Sequence, residues 1–151
     1  MISQRLNELG ITLPEVVPPV ASYTPALVEG SRVLTSGQLP MRNGELLATG
    51  YVGEGGVSVG AAAEAARQCA LNAIAAAAQA AGGVDRLARV VKVVGFVASA
   101  PYFTGQPAVI NGASDLLGEV FDQPHARSAV GVAALPLGAS VEVEVEFALA
   151  D

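Results

Sequence analysis

A chain of 151 residues with a formal net charge of −6, one cysteine and one histidine is sized for a single domain, residues 1–151. An intrachain disulfide would need a second cysteine, and a structural zinc site would need more ligands than Cys69 and His125 supply. Nucleic-acid binders present a basic face to phosphates, whereas the eight Lys and Arg here are scattered.

Of those cations, Arg86, Arg89 and Lys92 lie close together. They read as a solvated edge between a helix and a strand, not as a phosphate track. Hydrophobic residues make up 52% of the chain but aromatics only 5%, so Ala, Val, Leu and Gly must carry the packing. Small side chains bury little area each, which favours further burial between subunits. The first eight residues are too polar for a signal peptide. No uninterrupted apolar run reaches the ~18–20 residues that span a bilayer. The expectation is a cytoplasmic protein with no membrane or nucleic-acid partner.

Ile2, Leu6 and Leu9 are spaced for a short helix over residues 2–9, stopped by Gly10. Pro14, Pro18 and Pro19 then force an extended connector, and helix and connector together fill the first 20 residues. Residues 24–28 and 32–39 read as two strands joined by Glu29-Gly30-Ser31. Asn43-Gly44 marks a turn before a short strand near Leu46-Leu47. The glycine-rich stretch 50–60 is a loop; it lacks the Lys-Ser/Thr ending and the glycine spacing of nucleotide-binding loops.

Residues 58–81 form the clearest helix, with Ser58 as N-cap and Gly82-Gly83 as its stop. Ala66, Ala70, Ala73 and Ala77 give it a smooth apolar stripe; Glu64, Arg67, Gln68 and Gln79 give a polar one. The β-branched run 88–97 reads as a central strand buried on both faces. After a loop over 99–106, Pro107 opens a second helix whose Val109, Ile110, Ala113, Leu116, Leu117, Val120 and Phe121 repeat at helical spacing. Strands 126–133 and 140–148 finish the chain. The order βββαβαββ after a small N-terminal helix predicts an α+β sandwich with both main helices on one sheet face.

The segment His125-Ala126-Arg127-Ser128-Ala129-Val130 sets one arginine among small and apolar residues. A guanidinium stays charged in any protein environment, so its burial calls for an anion. That anion is either a protein carboxylate fixing an interface or the carboxylate of a ligand. Alternation along a strand puts Arg127 with Ala129, Gly131 and Ala133 on an open face, and Ser128, Val130 and Val132 on a core face. In the last strand Glu142, Glu144 and Glu146 alternate with valines. They read as a solvated face, from which one carboxylate could turn inward near Arg127 for acid–base work. Ser36, at a strand end beside Gly37, Asn111 on the second helix and Tyr23 after the connector are ordinary when taken singly. His125 reads as a surface loop residue rather than a base.

Thr35-Ser36-Gly37-Gln38-Leu39-Pro40, Ala66-Arg67-Gln68-Cys69, Ala126-Arg127-Ser128, and Leu135-Pro136 followed by Val-Glu-Val-Glu stand in an order that resembles the RidA/YjgF family over roughly residues 20–148. Ala98-Ser99-Ala100 and Val109-Ile110-Asn111-Gly112-Ala113-Ser114-Asp115-Leu116 look like a distinct branch of it. The resemblance implies a chorismate-mutase-like fold and a homotrimer with clefts between subunits. It implies hydrolysis of small 2-imino or enamino acids to 2-oxo acids and ammonia, without cofactor or metal. Arg127 matches the family arginine that grips the substrate carboxylate, and Glu142 the glutamate linked to water. Tyr23, Ser36 and Asn111 match the pocket tyrosine, serine and asparagine. Many RidA proteins carry a cysteine two residues after the arginine; Ala129 stands there. The other readings are a non-catalytic module binding a small carboxylated metabolite and, against the acidic charge, a ribonuclease.

Overall fold

The structure is a computed structural model that describes all 151 residues. Helix α1 (Ile2–Glu8) is a short amphipathic turn whose Leu6 enters the core. Its start is tied down by Asp85, which accepts from the Ser3 N–H at 2.8 Å and from its hydroxyl at 2.6 Å. After the connector, β1 (Ala26–Glu29) and β2 (Arg32–Thr35) form a hairpin closed by two residues, Gly30-Ser31. Glu29 belongs to the strand, so the turn is tighter than the sequence suggested.

The third predicted strand becomes a separate ribbon, β3 (Met41–Arg42) with β4 (Glu45–Leu46). Asn43 (φ 54) and Gly44 (φ 81) turn it; two successive left-handed residues match the twist of a two-residue hairpin. Helix α2 (Val59–Ala81) starts where Ser58 accepts from the Ala61 N–H at 3.2 Å and ends on Gly82 in the left-handed region. Strand β5 (Leu87–Ala98), helix α3 (Gln106–Phe121), strand β6 (Ala126–Val132) and strand β7 (Val141–Leu149) complete the chain.

The main sheet runs β1-β2-β7-β5-β6. It is mixed, because β5 and β6 are parallel and the other pairs antiparallel. Both long helices cover one face, over Val33, Val90, Val93, Val97, Val141, Val143, Val145 and Phe147. Phe121 of α3 meets Phe147 of β7 with ring centroids 5.5 Å apart. The alanine stripe of α2 is fully buried, so its small side chains let α3 approach closely. At the crossing, a side chain on Gly112 would run into the backbone carbonyl of Ala63.

One expectation fails here. Strand β5 is buried on the helix face only; Lys92 is exposed and Val94 and Phe96 are half-buried on the other. A β-branched run marks a strand, but burial on both faces needs a second covering layer, and this chain has one. Gln68, part of the polar stripe of α2, is buried. Its amide donates to Asn72 Oδ1 at 3.0 Å, and Asn72 in turn donates to the Leu39 and Met41 carbonyls, each at 3.0 Å. A buried polar group survives only with its partners satisfied, and these two pin the segment after β2 onto α2. Arg86, Arg89 and Lys92 are all exposed, as the sequence suggested.

Candidate active site

Strand β6 is the edge strand beside β5, with Arg127 opposite Val93 and Ala129 opposite Gly95. Val93 faces the helices, so Arg127 and Ala129 do too, and Val130, 44% exposed, lies on the open face. The two faces are therefore exchanged relative to the sequence reading. At a sheet edge the small residues sit beneath the flank of a helix, and the open side tolerates a valine.

The guanidinium lies along α3. Nη1 donates to Asn111 Oδ1 at 2.8 Å and to Ser114 Oγ at 3.2 Å, and Nη2 donates to the Pro107 carbonyl at 3.2 Å. Positions 107, 111 and 114 fall on one helical stripe. All three acceptors are neutral. The chain's two ion pairs are Arg5–Glu8 and Arg32–Glu146, so no carboxylate of this chain pairs with Arg127. Of the five guanidinium N–H groups, three are engaged by α3. The Pro107 carbonyl and the Asn111 amide are one turn apart and take the Nη1/Nη2 end. What remains is Nε–H and one Nη2–H, the edge that fits both oxygens of a carboxylate.

His125 is less detached than a surface loop residue. It is half-buried, and its Nε2 lies 3.0 Å from Ser114 Oγ, while Nδ1 is buried without a partner. Burial, and then the Arg127 charge, hold its pKa below the ordinary histidine value. Ser114 was missed in the sequence. Its signal was present in the spacing of Asn111 and Ser114 along the stripe that begins at Pro107.

Glu142, Ser36 and Tyr23 lie elsewhere. Glu142 is opposite Phe96 on the face away from the helices. It is two strands and three residues from Arg127, about 14 Å between Cα atoms at ordinary sheet spacing. Within one chain the arginine and the glutamate do not meet.

A bulge shapes the glutamate's surroundings. The β2–β7 register runs Leu34↔Glu146, yet Gln38 bridges Val143, a slip of one residue. Thr35 Oγ1 repairs the ladder by accepting from the Val145 N–H at 3.0 Å. The bulge lays Gly37 against Glu142, where a Cβ would overlap the carboxylate. Burial, and then the Glu144 charge, raise the Glu142 pKa above the ordinary value. Ser36 Oγ donates to the Thr24 carbonyl at 2.6 Å. Tyr23, 45% exposed, lines a small hollow with Pro18, Val20, Gly37 and Gln38. The proposed residues thus form two groups, Arg127 with Asn111, and Glu142 with Tyr23 and Ser36.

A family model described as "YjgF/chorismate mutase-like, putative endoribonuclease" matches residues 3–147. The chain is 43% identical over 146 residues to Protein TCP17 of Trypanosoma cruzi, spanning 95% of this chain and 91% of that one. The crystal structure of Atu1372 from Agrobacterium tumefaciens, a protein described as of unknown function, is 45% identical with a TM-score of 0.88 over 99% of this chain and 93% of that one. TdcF of E. coli, crystallised with bound serine, is 26% identical with a TM-score of 0.61 over 91% and 93%.

Proposed function

The chain belongs to the YjgF/chorismate mutase-like family, and from that premise we propose that it hydrolyses small 2-imino and enamino acids to 2-oxo acids and ammonia. The observation that carries this reading is the Arg127 guanidinium, held by three neutral oxygens with its Nε edge uncommitted. A small ligand carboxylate supplies the missing charge through two parallel hydrogen bonds. The serine bound to the relative TdcF is a ligand of that chemical class.

Water adds to the C=N carbon, the nitrogen gains a proton, and ammonia leaves as the C=O forms. The raised pKa of Glu142 suits a group that takes a proton from water and returns it to nitrogen. The two residue groups meet in this reading across a subunit boundary, with Arg127 of one copy facing Glu142 of the next in a homotrimer. The uncovered sheet face supports it, exposing Leu34 (41%) and Val130 (44%). Ala129 in place of a thiol removes nothing that this scheme uses.

The separation of Arg127 from Glu142 within one chain also favours a second reading, a non-catalytic module that captures a carboxylated metabolite. The test is ammonia release from 2-iminopropanoate generated in situ by an amino-acid oxidase, with sedimentation of the same sample. Glu142→Gln is expected to slow release while pyruvate still binds; acid–base contributions of ~10²–10⁴-fold are easily detected. Pyruvate binding with no acceleration over background by the wild type selects the binding module. A monomer at micromolar concentration removes the shared cleft. The endoribonuclease label of the family model finds no basic track in a chain of net charge −6, and salt-dependent RNA binding would revive it.

A further inference from the structure

We propose that Ser114 and His125 are positioning residues for the Arg127 clamp. The imidazole holds the Ser114 hydroxyl, and that hydroxyl fixes the guanidinium on α3 with its Nε edge turned outward. The proposal rests on the reading of Arg127 as the carboxylate-binding group.

The contacts form one line: Asn111 Oδ1 to Arg127 Nη1 at 2.8 Å, Nη1 to Ser114 Oγ at 3.2 Å, and Ser114 Oγ to His125 Nε2 at 3.0 Å. Each group has few ways to serve there. Arginine only donates, so it occupies a lone pair of Ser114. The remaining hydroxyl capacity goes to the imidazole, as donor or as acceptor. A serine engaged from both sides cannot swing away and release Nη1.

The other ring nitrogen fixes the state of the histidine. Nδ1 is buried without a partner, so an imidazolium would bury an N–H that no acceptor meets. Of the charged groups, Arg127 on β6 bears on the ring, and α3 presents the neutral Ser114. Both effects favour the uncharged imidazole, and a carboxylate seated on Arg127 would cancel the second. Binding at Arg127 and protonation of His125 are then linked, and the linkage is reciprocal.

An arginine side chain has rotamer entropy to lose, and holding it in place beforehand lowers the cost of binding. Ser114→Ala is expected to weaken pyruvate binding about three- to tenfold, and Ser114→Thr to restore it. His125→Ala should act like Ser114→Ala, with His125→Gln, whose amide reaches the same hydroxyl, recovering most of the loss.

His125 is the only histidine, so its ring signals in an NMR titration need no assignment by mutagenesis. Saturating pyruvate should move the wild-type His125 midpoint to higher pH. If pyruvate binds in an Arg127-dependent manner but leaves the midpoint unmoved, or if Ser114→Ala binds like wild type, the positioning role is overturned. If Arg127→Ala binds pyruvate as the wild type does, or the wild type binds none, the Arg127 reading itself fails.

Discussion

Replacing Arg127 with lysine keeps the charge and removes the geometry. The guanidinium makes three hydrogen bonds to α3, two at 3.2 Å and one at 2.8 Å, and keeps two N–H groups for a ligand. An ammonium has three N–H groups on one atom. It cannot span Pro107, Asn111 and Ser114 while presenting a flat two-pronged edge outward. The ligand loses one charge-assisted hydrogen bond, worth ~1.5–3 kcal/mol, which converts to roughly ten- to hundredfold in affinity. Asn111 is exposed, so water replaces its lost contact and folding should change little. Isothermal calorimetry with pyruvate on Arg127→Lys, beside a thermal melt, reads both quantities. An Arg127→Lys protein that binds pyruvate within twofold of wild type would refute the two-pronged edge and leave only a point charge.

Four further substitutions probe the packing and the charges. Gly37→Ala places a Cβ on the Glu142 carboxylate; it should slow ammonia release sharply while pyruvate affinity stays near wild type, since the proposed carboxylate anchor is Arg127 and not Glu142. Gly112→Ala should destabilise by at least ~1–3 kcal/mol because its Cβ meets the rigid Ala63 carbonyl. Gly118→Ala on the same helix meets nothing within 4 Å and should stabilise by up to ~1 kcal/mol; chemical denaturation of the pair reads the contrast. Glu142→Gln should raise Tm at pH 7. The folded-state pKa of Glu142 is raised, so its ionised form opposes folding above that pKa, and the penalty fades as pH falls toward the ordinary glutamate value near ~4.3. A Tm gain as large at pH 4 as at pH 7 would mean that charge is not the cause.

Periodicity and end signals made most elements legible. Ser58, Gly82 and the alanine stripe delimit α2 because capping and close packing are local matters. Asn43-Gly44 marks its turn for the same reason. Facing is not local. Whether Arg127 or Val130 looks toward the helices depends on which side of the edge strand α3 crosses, and strand alternation supplies two answers of equal merit. The same ignorance made β5 look buried on both sides and left the burial of Gln68 within the polar stripe of α2 unread. Gln68 is buried because its amide completes the Asn72 contacts to Leu39 and Met41, a long-range requirement invisible in an alanine-rich helix.

The site divides along the same line. The resemblance picked out Arg127, Glu142, Tyr23, Ser36 and Asn111 as one set, yet a sheet separates the arginine from the glutamate within the chain. Arg127 and Asn111 are linked by helical spacing and strand register, and their contact forms inside one copy. Glu142 owes its setting to a one-residue bulge that brings Gly37 beneath its carboxylate. A bulge leaves no periodic trace, and the Ser36-Gly37 pair reads as an ordinary strand end. The two halves differ also in electrostatics. The arginine half holds a fixed positive charge with no counter-ion, and the glutamate half holds an acid pushed toward its neutral form. Joined, they would set a carboxylate anchor and a proton carrier at opposite ends of a small ligand. Apart, the arginine half would suffice to bind under the same proposal and the glutamate half would have nothing to protonate. On the proposed deaminase reading turnover needs the two halves joined across a homotrimer, so dilution below the dissociation point of that trimer should extinguish turnover before it abolishes pyruvate binding.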